Sequence, residues 1–201
     1  MTLPFAAVFV AIPDTIMRAI FAHGAFDRNA AALSALALAT YGVGLPAMAL
    51  VRIFASTFYA RHDTMTPARV TVAAIALNIA LKFLFVWGLH LGIAGIALGT
   101  SIGAWVNVML LVILGHRRNL LQLSADFWRS LVPVFLAGAA TAAAAYAAVA
   151  LGRHIVHAGG LHEVVLLGFA FVAGSLAYGA VVILFSNRLP LGRFSSAGAA
   201  P

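Results

Sequence analysis

Two pairs of polar side chains lie four residues apart inside long apolar runs: Asp14 with Arg18, and Asn78 with Lys82. Residues at this spacing share one face of a helix, where an acid and a base can pair. Asp14 and Arg18 would either pair for structure, which lowers the cost of carrying them in a membrane, or face a wet cavity. Asn78 and Lys82 would form a polar pocket that senses a proton or pairs with an anionic group, or Lys82 would extend toward the membrane surface.

Thr100 and Asn107 are the predicted partners of that pocket. They are seven residues apart in the fourth apolar run and so share a helix face, which we expect to meet Asn78 and Lys82. The same run carries small residues spaced by four, which let a second helix approach closely in lipid. Such a face is either a sliding surface in a transporter or a static packing seam. These small residues are Gly95, Gly99 and Gly103.

The second apolar run carries one polar stripe. Tyr41 and Arg52 share a face with Ser34 and Met48, by steps of seven and four residues. Lipid would reject such a stripe, so we expect it to face a cavity. The run also contains residues that predict either a plain kink or a broken helix lining that cavity. These are Gly42, Gly44 and Pro46.

Enzyme chemistry is not expected from this sequence. His154, His157 and His162 with Glu163 follow no regular ligand spacing, so we predict no metal site, and we predict no cofactor. The chain has no cysteine, and it shows no nucleophile with a base, no paired carboxylates and no phosphate-binding glycine loop. We therefore assign no catalytic residues.

An all-α polytopic membrane fold follows from the composition. Only 8% of the residues are charged and the mean hydropathy is +1.06, whereas a soluble domain carries about a quarter charged residues. A hydrocarbon layer roughly 30 Å thick needs about 20 apolar residues per crossing helix. The apolar runs lack the alternation of barrel strands, and backbone groups in lipid must bond internally, so the runs are helices. Six runs are predicted, at 3–22, 31–57, 68–88, 93–115, 129–151 and 163–185.

We divide the chain into four helices of a transporter lobe at 1–118, an appended two-helix hairpin at 119–187, and a cytoplasmic tail at 188–201. Lys and Arg concentrate at one set of helix ends, which places both termini and the connection after the second run in the cytoplasm. The net charge of +7 is spread between the apolar runs, so it suits anionic membrane lipids rather than nucleic acid.

The connection at 58–67, "FYARHDTMTP", is a polar turn between two apolar runs. Arg61 and Arg69 would hold it in the cytoplasm, and Asp63 could pair with either. Thr66 is placed to cap the next helix, with Pro67 at the first helical position.

Several stretches resemble the lipid II flippase MurJ (MviN) family of the MOP superfamily. They are "IPDTIMRAIFAHGAFD" at 12–27, "FYARHDTMTP" at 58–67, "AGIALGTSIGAWVNVMLL" at 94–111 and "GHRR" at 115–118. At positions 22 and 23 the family usually has an acidic and a basic residue, whereas this chain has Ala22 and His23. The resemblance implies that the second stretch is a motif at the cytoplasmic gate. The motif residues are Phe58, Tyr59, Arg61, Asp63, Thr66 and Pro67.

The resemblance implies a function as well as a fold. MurJ-like proteins have fourteen helices in two lobes plus a terminal pair, and this chain resembles the last six. It would belong to a transporter that moves lipid II, an undecaprenyl-linked cell-wall precursor, across the bacterial inner membrane by alternating access. The N-terminal lobe of the same transporter would be its partner, and the chain alone would be inactive. The alternatives are an exporter of another substrate, such as a polysaccharide-lipid or a drug, and a non-transporting membrane scaffold.

Overall fold

The computed structural model describes residues 2–21, 28–120, 125–155 and 162–185, and nearly all of them are helical. No strand occurs within these ranges. A π-helical turn, Leu84–Gly88, continues the fourth helix. The helices are α1 (Leu3–Ala11), α2 (Pro13–Phe21), α3 (Arg28–Tyr59), α4 (Met65–Phe83), α5 (Gly92–Arg117), α6 (Ala125–Ile155) and α7 (His162–Leu184).

Five helical segments are each long and apolar enough to cross a membrane. The shortest have 23 residues, and at about 1.5 Å per residue each of these spans the roughly 30 Å hydrocarbon layer. The chain is therefore an all-α polytopic membrane protein, as its composition predicts. The segments are Ala30–Tyr59, Met65–Gly88, Gly92–Arg117, Val132–His154 and His162–Leu184.

The first predicted run, 3–22, is not one straight helix. It is divided into α1 and α2, which meet at Ile12 with a bend of 84°. Proline has no backbone N–H to donate and disfavours helical backbone in the residue before it, and Ile12 has φ −134° and ψ 46° ahead of Pro13. The bent pair can count as one broken span, which gives at most six crossings in the part of the chain that the structure describes.

Helices α3 and α5 are the centre of the bundle and run parallel. Helix α1 packs on α3, and α4 packs antiparallel on α5. Helices α6 and α7 pack mainly on each other and reach the rest through α1 and α2. The predicted division of the chain at residue 118 remains a prediction, and the predicted tail at 188–201 lies outside the described residues.

Two groups of buried apolar side chains hold these helices together. We call the first the α3–α5 cluster, and it consists of Ala47, Phe54, Phe58, Val70, Val108 and Leu111. We call the second the bend cluster, because it surrounds the junction of α1 and α2. It consists of Ile12, Ile16, Ala145, Val149 and Ala170. The two clusters lie toward opposite ends of the bundle, since α3 begins near the second and ends in the first.

Candidate functional site

The glycines of α5 form the contact with α4. A Cβ added at Gly99 would lie 3.0 Å from Lys82 Cγ, and one added at Gly103 would lie 2.9 Å from Asn78 Cβ. A Cβ at Gly95 would lie 2.9 Å from Phe85 Cβ in the π-helical turn. The missing side chains therefore let α4 approach at the positions of its two polar residues.

Two amide oxygens are buried along this seam without a hydrogen-bond donor. They are Asn78 Oδ1 and Asn107 Oδ1, and Asn107 as a whole is 8% exposed. Lys82 is half-buried one turn from Asn78 and forms no ion pair within 4.0 Å in the described part of the chain. A buried acceptor without a donor costs about 1–3 kcal/mol, so packing these amides into the seam opposes folding.

The predicted role of Thr100 beside Asn78 and Lys82 stays a prediction. Its hydroxyl donates to the carbonyl of Ile96 in its own helix at 2.9 Å. The contacts of Asn78 and Lys82 with α5 fall instead on Gly103 and Gly99. The predicted pocket is thus a tightly packed seam at these positions.

The polar stripe of α3 lies on a face that no described helix covers. Tyr41 is 40% exposed and Met48 is 48% exposed. Arg52 is also exposed, and Ser34 is half-buried. The stripe is therefore open to whatever surrounds the bundle at that face.

The predicted helix breakers lie inside α3, and the two glycines among them serve packing. A Cβ at Gly42 would meet Val10 Cγ2 of α1 at 3.0 Å, and one at Gly44 would meet Ser101 Oγ of α5 at 2.6 Å. Pro46 lies inside the helix, which continues to Tyr59. The breakers thus do not end α3, and α1 and α5 pack into the space that the two glycines leave.

Two side chains of α5 donate hydrogen bonds to α3 carbonyls in the turns before Pro46. Ser101 Oγ donates to the carbonyl of Thr40 at 2.7 Å, and Trp105 Nε1 donates to that of Val43 at 3.0 Å. Neighbouring side chains commonly satisfy backbone groups near a proline in a membrane helix. A cleft of about 270 Å³ lies beside these bonds and is mostly apolar, with Val10 of α1 on its other side.

The turn after α3 is a helix C-terminus closed by backbone hydrogen bonds. Asp63 N–H donates to the Phe58 carbonyl at 3.1 Å, and His62 N–H donates to the Tyr59 carbonyl at 2.9 Å. His62 has φ +59°, so this is a Schellman motif with histidine where glycine is usual. Phe58 is fully buried in the α3–α5 cluster, whereas Tyr59 is 52% exposed.

Asp63 caps the next helix, and the prediction that Thr66 does so is wrong. Helix α4 begins at Met65, so Thr66 and Pro67 are its second and third residues. The Thr66 N–H donates to Asp63 Oδ1 at 3.0 Å, and the Thr66 hydroxyl donates to Oδ2 at 2.7 Å. An acceptor just before a helix satisfies donors that have no partner within it.

The ionic partner of Asp63 is Arg118, rather than Arg61 or Arg69 as predicted. Arg118 Nη1 lies 2.5 Å from Asp63 Oδ2. Helix α5 ends in a second Schellman motif, in which Leu120 N–H donates to the Gly115 carbonyl at 2.9 Å and Asn119 has φ +54°. Because α3 and α5 run parallel, their similar ends lie side by side and Asp63 can reach Arg118.

These contacts lower the pKa of Asp63. The hydrogen bonds from the Thr66 side chain and backbone have the largest effect. Arg118 and the Met65 N–H lower the pKa further, while desolvation opposes them, and the net pKa lies below the ordinary value of 3.8. Asp63 is therefore ionised at neutral pH and joins the ends of α3, α4 and α5.

Asp14 and Arg18 are both exposed on α2, and neither forms an ion pair within 4.0 Å with another described residue. Asp14 instead lines a pocket of about 160 Å³ at the junction of α1 and α2, together with Arg153 of α6.

The described residues contain no group of three potential metal ligands. His157 lies outside them, so the absence of a metal site remains a prediction.

A family model described as Lipid II flippase MurJ matches residues 1–170. The chain belongs to the MurJ family. The matched region includes α1 to α6 and the first turns of α7. Ala22 and His23, where the chain departs from the usual family pattern, lie outside the described residues.

Individual relatives agree with this assignment. A probable lipid II flippase MurJ of Rhizobium tropici is 38% identical over 119 residues, which are 59% of this chain and 22% of that protein. The lipid II flippase MurJ of Burkholderia cenocepacia is 35% identical over 135 residues, 67% of this chain and 25% of that protein. A probable lipid II flippase MurJ of Haemophilus influenzae is 25% identical over 185 residues, 92% of this chain and 36% of that protein. The chain thus spans only about a fifth to a third of the relatives it matches.

Sequence reasoning missed three contributors to these sites: Arg118, Ser101 and Arg153. The basic stretch at 115–118 is visible in the sequence, but the partner of Arg118 is 55 residues away. Ser101 looks like one more small residue of a glycine-rich helix until the carbonyl of Thr40 is found beside it. Asn119 signals only where α5 ends, next to Arg118, because asparagine tolerates the left-handed conformation that ends a helix.

Proposed function

We propose that this chain forms part of a transporter that moves lipid II from the inner to the outer leaflet of the bacterial cytoplasmic membrane. The observation that carries the proposal is the family match over residues 1–170. The matched relatives are three to five times as long as the aligned region. The proposed partner is therefore the N-terminal lobe of the same kind of transporter, which completes the substrate site.

The proposed orientation has both termini in the cytoplasm. Arginines are concentrated at the end of the bundle where α3 and α5 finish, as the positive-inside rule requires of a cytoplasmic side. The bend between α1 and α2 then lies at the outer side of the membrane. The arginines at the α3 and α5 end are Arg61, Arg69, Arg117 and Arg118.

The exposed stripe of α3 is the proposed wall of the transport cavity. Tyr41 and Arg52 are exposed on one face of a helix that packs on α1 and α5 through other faces. A charged side chain facing lipid is costly, and polar residues of membrane helices usually face a water-filled space. The stripe would meet that water once a second lobe stands opposite it.

The α4–α5 seam provides the proposed contact for an anionic group of the substrate. Lys82 carries a positive charge with no acidic partner within 4.0 Å in the described chain, and two unsatisfied amide oxygens lie along the same seam. The lysine would attract a phosphate group, while the buried acceptors of Asn78 and Asn107 would receive a donor only where the seam opens during transport. Thr100 lies on the same helix as Asn107 but has its hydroxyl bonded to Ile96.

Asp63 gives the proposed cytoplasmic gate its rigidity. One carboxylate joins the end of α3, the start of α4 and the end of α5. Alternating access requires lobes that rock as units around a central site. The three helices would therefore move together at the gate.

A complementation assay tests the proposed function. In cells depleted of their native flippase, we expect the chain alone to give no rescue, and the chain co-expressed with the N-terminal part of the Burkholderia cenocepacia relative to restore growth. Failure of the pair, with both parts present in the membrane at normal levels, would contradict the proposal. Rescue by the chain alone would show that no second lobe is needed.

Cysteine labelling tests the cavity wall, and the sequence suits it because it contains no cysteine. Thiols react with a membrane-impermeant maleimide only where water reaches them. In the co-expressed pair, we expect Tyr41→Cys and Arg52→Cys to be labelled, while Phe171→Cys and Leu176→Cys on α7 are not. The α7 positions are a matched control, because their side chains are also exposed in this chain, at 67% and 69%. Equal labelling of both helices would contradict the assignment of the stripe.

A further inference from the structure

The pocket at the junction of α1 and α2 is not explained by the proposed transport function. It has a volume of about 160 Å³ and lies between the bend and the last turns of α6. Ile12 and Val149 supply part of an apolar wall, and both are buried in the bend cluster. The polar lining consists of Asp14, Thr15, Tyr146 and Arg153.

The two charged residues of this pocket come from different helices and do not neutralise each other. Asp14 is exposed on α2 and Arg153 is exposed on α6, and they form no ion pair within 4.0 Å. Arg18, one turn from Asp14 on α2, does not pair with it either. An acid and a base that border the same cavity without pairing suit a ligand that carries both charges a short distance apart.

One charged residue of this pocket, Arg153, lies near the end of an apolar span. Arg153 is the penultimate residue of the apolar span Val132–His154, and the next helix, α7, begins at His162. Tyrosine and arginine at such positions commonly meet headgroups, because each places a polar tip in the interface and an apolar stem in the lipid. The guanidinium of Arg153 is well shaped to bind two phosphate oxygens at once.

We propose that this pocket binds the headgroup of a zwitterionic phospholipid that has a primary amine. Arg153 binds the phosphodiester, and Asp14 accepts hydrogen bonds from the ammonium group. The apolar side chains of Ile12 and Val149 contact the part of the lipid nearest the glycerol. The primary amine matters, because a quaternary ammonium has no N–H to donate to a carboxylate and a glycerol headgroup has no positive charge. The site does not depend on whether the chain transports lipid II.

Thermal unfolding in nanodiscs tests this proposal with the full chain. We would compare discs of phosphatidylcholine alone with discs containing added phosphatidylethanolamine or added phosphatidylglycerol. We expect phosphatidylethanolamine to raise the unfolding temperature more than phosphatidylglycerol does. Arg153→Gln and Asp14→Asn should each remove that specific increase, and Arg18→Gln, which changes an exposed arginine outside the pocket lining, should retain it. An increase that persists in both pocket variants would overturn the proposal.

Native mass spectrometry measures the lipid itself and separates it from a bare anion. We expect retained phosphatidylethanolamine on the wild-type chain, and binding weaker by roughly tenfold or more in Arg153→Gln, because a hydrogen-bonded charge is lost. Soluble phosphoethanolamine should compete with the retained lipid, whereas inorganic phosphate at the same concentration should not. Equal competition by phosphate, or equal retention of phosphatidylglycerol, would identify a simple anion site and overturn the proposal. If Arg153→Gln fails to fold, Arg153→Lys tests the same point with the charge kept, and wild-type retention remains decisive.

Discussion

An acid and a base form an ion pair at one end of the helix bundle, whereas at the other end an acid and a base border a pocket without pairing. Where α3 and α5 end, the carboxylate of Asp63 receives donors from Thr66 and Arg118. At the junction of α1 and α2, Asp14 and Arg153 border one pocket without forming an ion pair. Charges that satisfy one another fix helices in place, whereas charges left open near a cavity remain available to a ligand. The first end is therefore structural and the second is suited to binding.

The largest effect on this comparison should come from Phe58, the fully buried aromatic of the α3–α5 cluster. We expect Phe58→Ala to lower the free energy of unfolding by about 3–5 kcal/mol, because the truncation leaves a cavity among α3, α4 and α5. Tyr59→Ala is the matched control, since Tyr59 is 52% exposed. Titration with sodium dodecyl sulfate in mixed micelles would measure both variants. Equal losses would show that the α3–α5 cluster does not hold this end.

Two glycine-to-alanine variants compare the contact of α3 with α5 and the contact of α6 with α7. Alanine at Gly44 would place Cβ 2.6 Å from Ser101 Oγ and 3.1 Å from Ser101 Cα, so the α5 backbone must shift. Alanine at Gly152 would meet Leu166 Cδ2 at 2.4 Å, and the end of a leucine side chain can move more easily than backbone. We expect Gly44→Ala to lose about 1–3 kcal/mol of unfolding free energy and Gly152→Ala to lose less. The helix-propensity gain is common to both variants, so their difference reports packing, and a larger loss at Gly152 would reverse the ranking.

Substitutions of Asp63 and Arg118 should separate the two functions of the Asp63 carboxylate, which caps α4 and pairs with the end of α5. We expect Asp63→Asn to increase hydrogen exchange both in the first turn of α4 and in the last turn of α5, because Asp63 contacts both. Arg118→Gln should affect only the end of α5, since the cap from Asp63 to Thr66 remains. Mass spectrometry of peptides covering 60–70 and 112–120 would resolve the two patterns. Identical patterns would mean that the ion pair, rather than the cap, holds α4.

The same carboxylate predicts a dependence of stability on pH. The folded pKa of Asp63 lies below its ordinary value of 3.8, so the ionised form is favoured by folding. Its contribution is complete above the unfolded pKa and is lost as the pH falls through the folded pKa. Between wild type and Asp63→Asn, the difference in unfolding free energy should be constant from pH 7 to about pH 5 and should shrink below the ordinary pKa. A difference that persists unchanged in strong acid would contradict an ionic origin.

The smallest predicted effect is at His62, which has φ +59°. The left-handed conformation costs a residue with a side chain about 1–2 kcal/mol, and glycine avoids this cost but loses more backbone entropy on folding. We therefore expect His62→Gly to raise the free energy of unfolding by about 0.5 kcal/mol. Asn119→Gly, at φ +54°, should gain less, because asparagine tolerates this conformation. Destabilisation by His62→Gly would indicate that the histidine side chain makes a contact worth more than the strain.

The sequence was sufficient for features that depend on local pattern. The long apolar segments of α3, α4, α5 and α7 lie where hydropathy predicted them, and Gly95, Gly99 and Gly103 lie in a helix contact. The 84° bend at Ile12 was not predicted, because Pro13 is compatible with a kink, a break or a new helix start. Packing of Ile12 and Ile16 against α6 and α7 accompanies the break, and those contacts are more than 100 residues away along the chain.

The polar partners were harder to predict than the helices. Asp63 was expected to pair with a nearby arginine, but the parallel alignment of α3 and α5 brings Arg118 closer. The expected contact of Thr100 with Asn78 and Lys82 stays a prediction, and its hydroxyl bonds to the preceding turn of its own helix. The error at Asp63 has a physical cause: a helical wheel gives the face on which a side chain lies, but not which helix stands opposite it or at what height.

The parallel arrangement of α3 and α5 has an electrostatic consequence. Each helix carries a partial negative charge at its C-terminal end, and two such ends side by side repel each other. Arg61 follows the first end, and Arg117 and Arg118 close the second. The side chains that are proposed to direct this end into the cytoplasm thus also offset the helix dipoles. Replacing them to reverse the membrane orientation would therefore loosen the bundle at the same time.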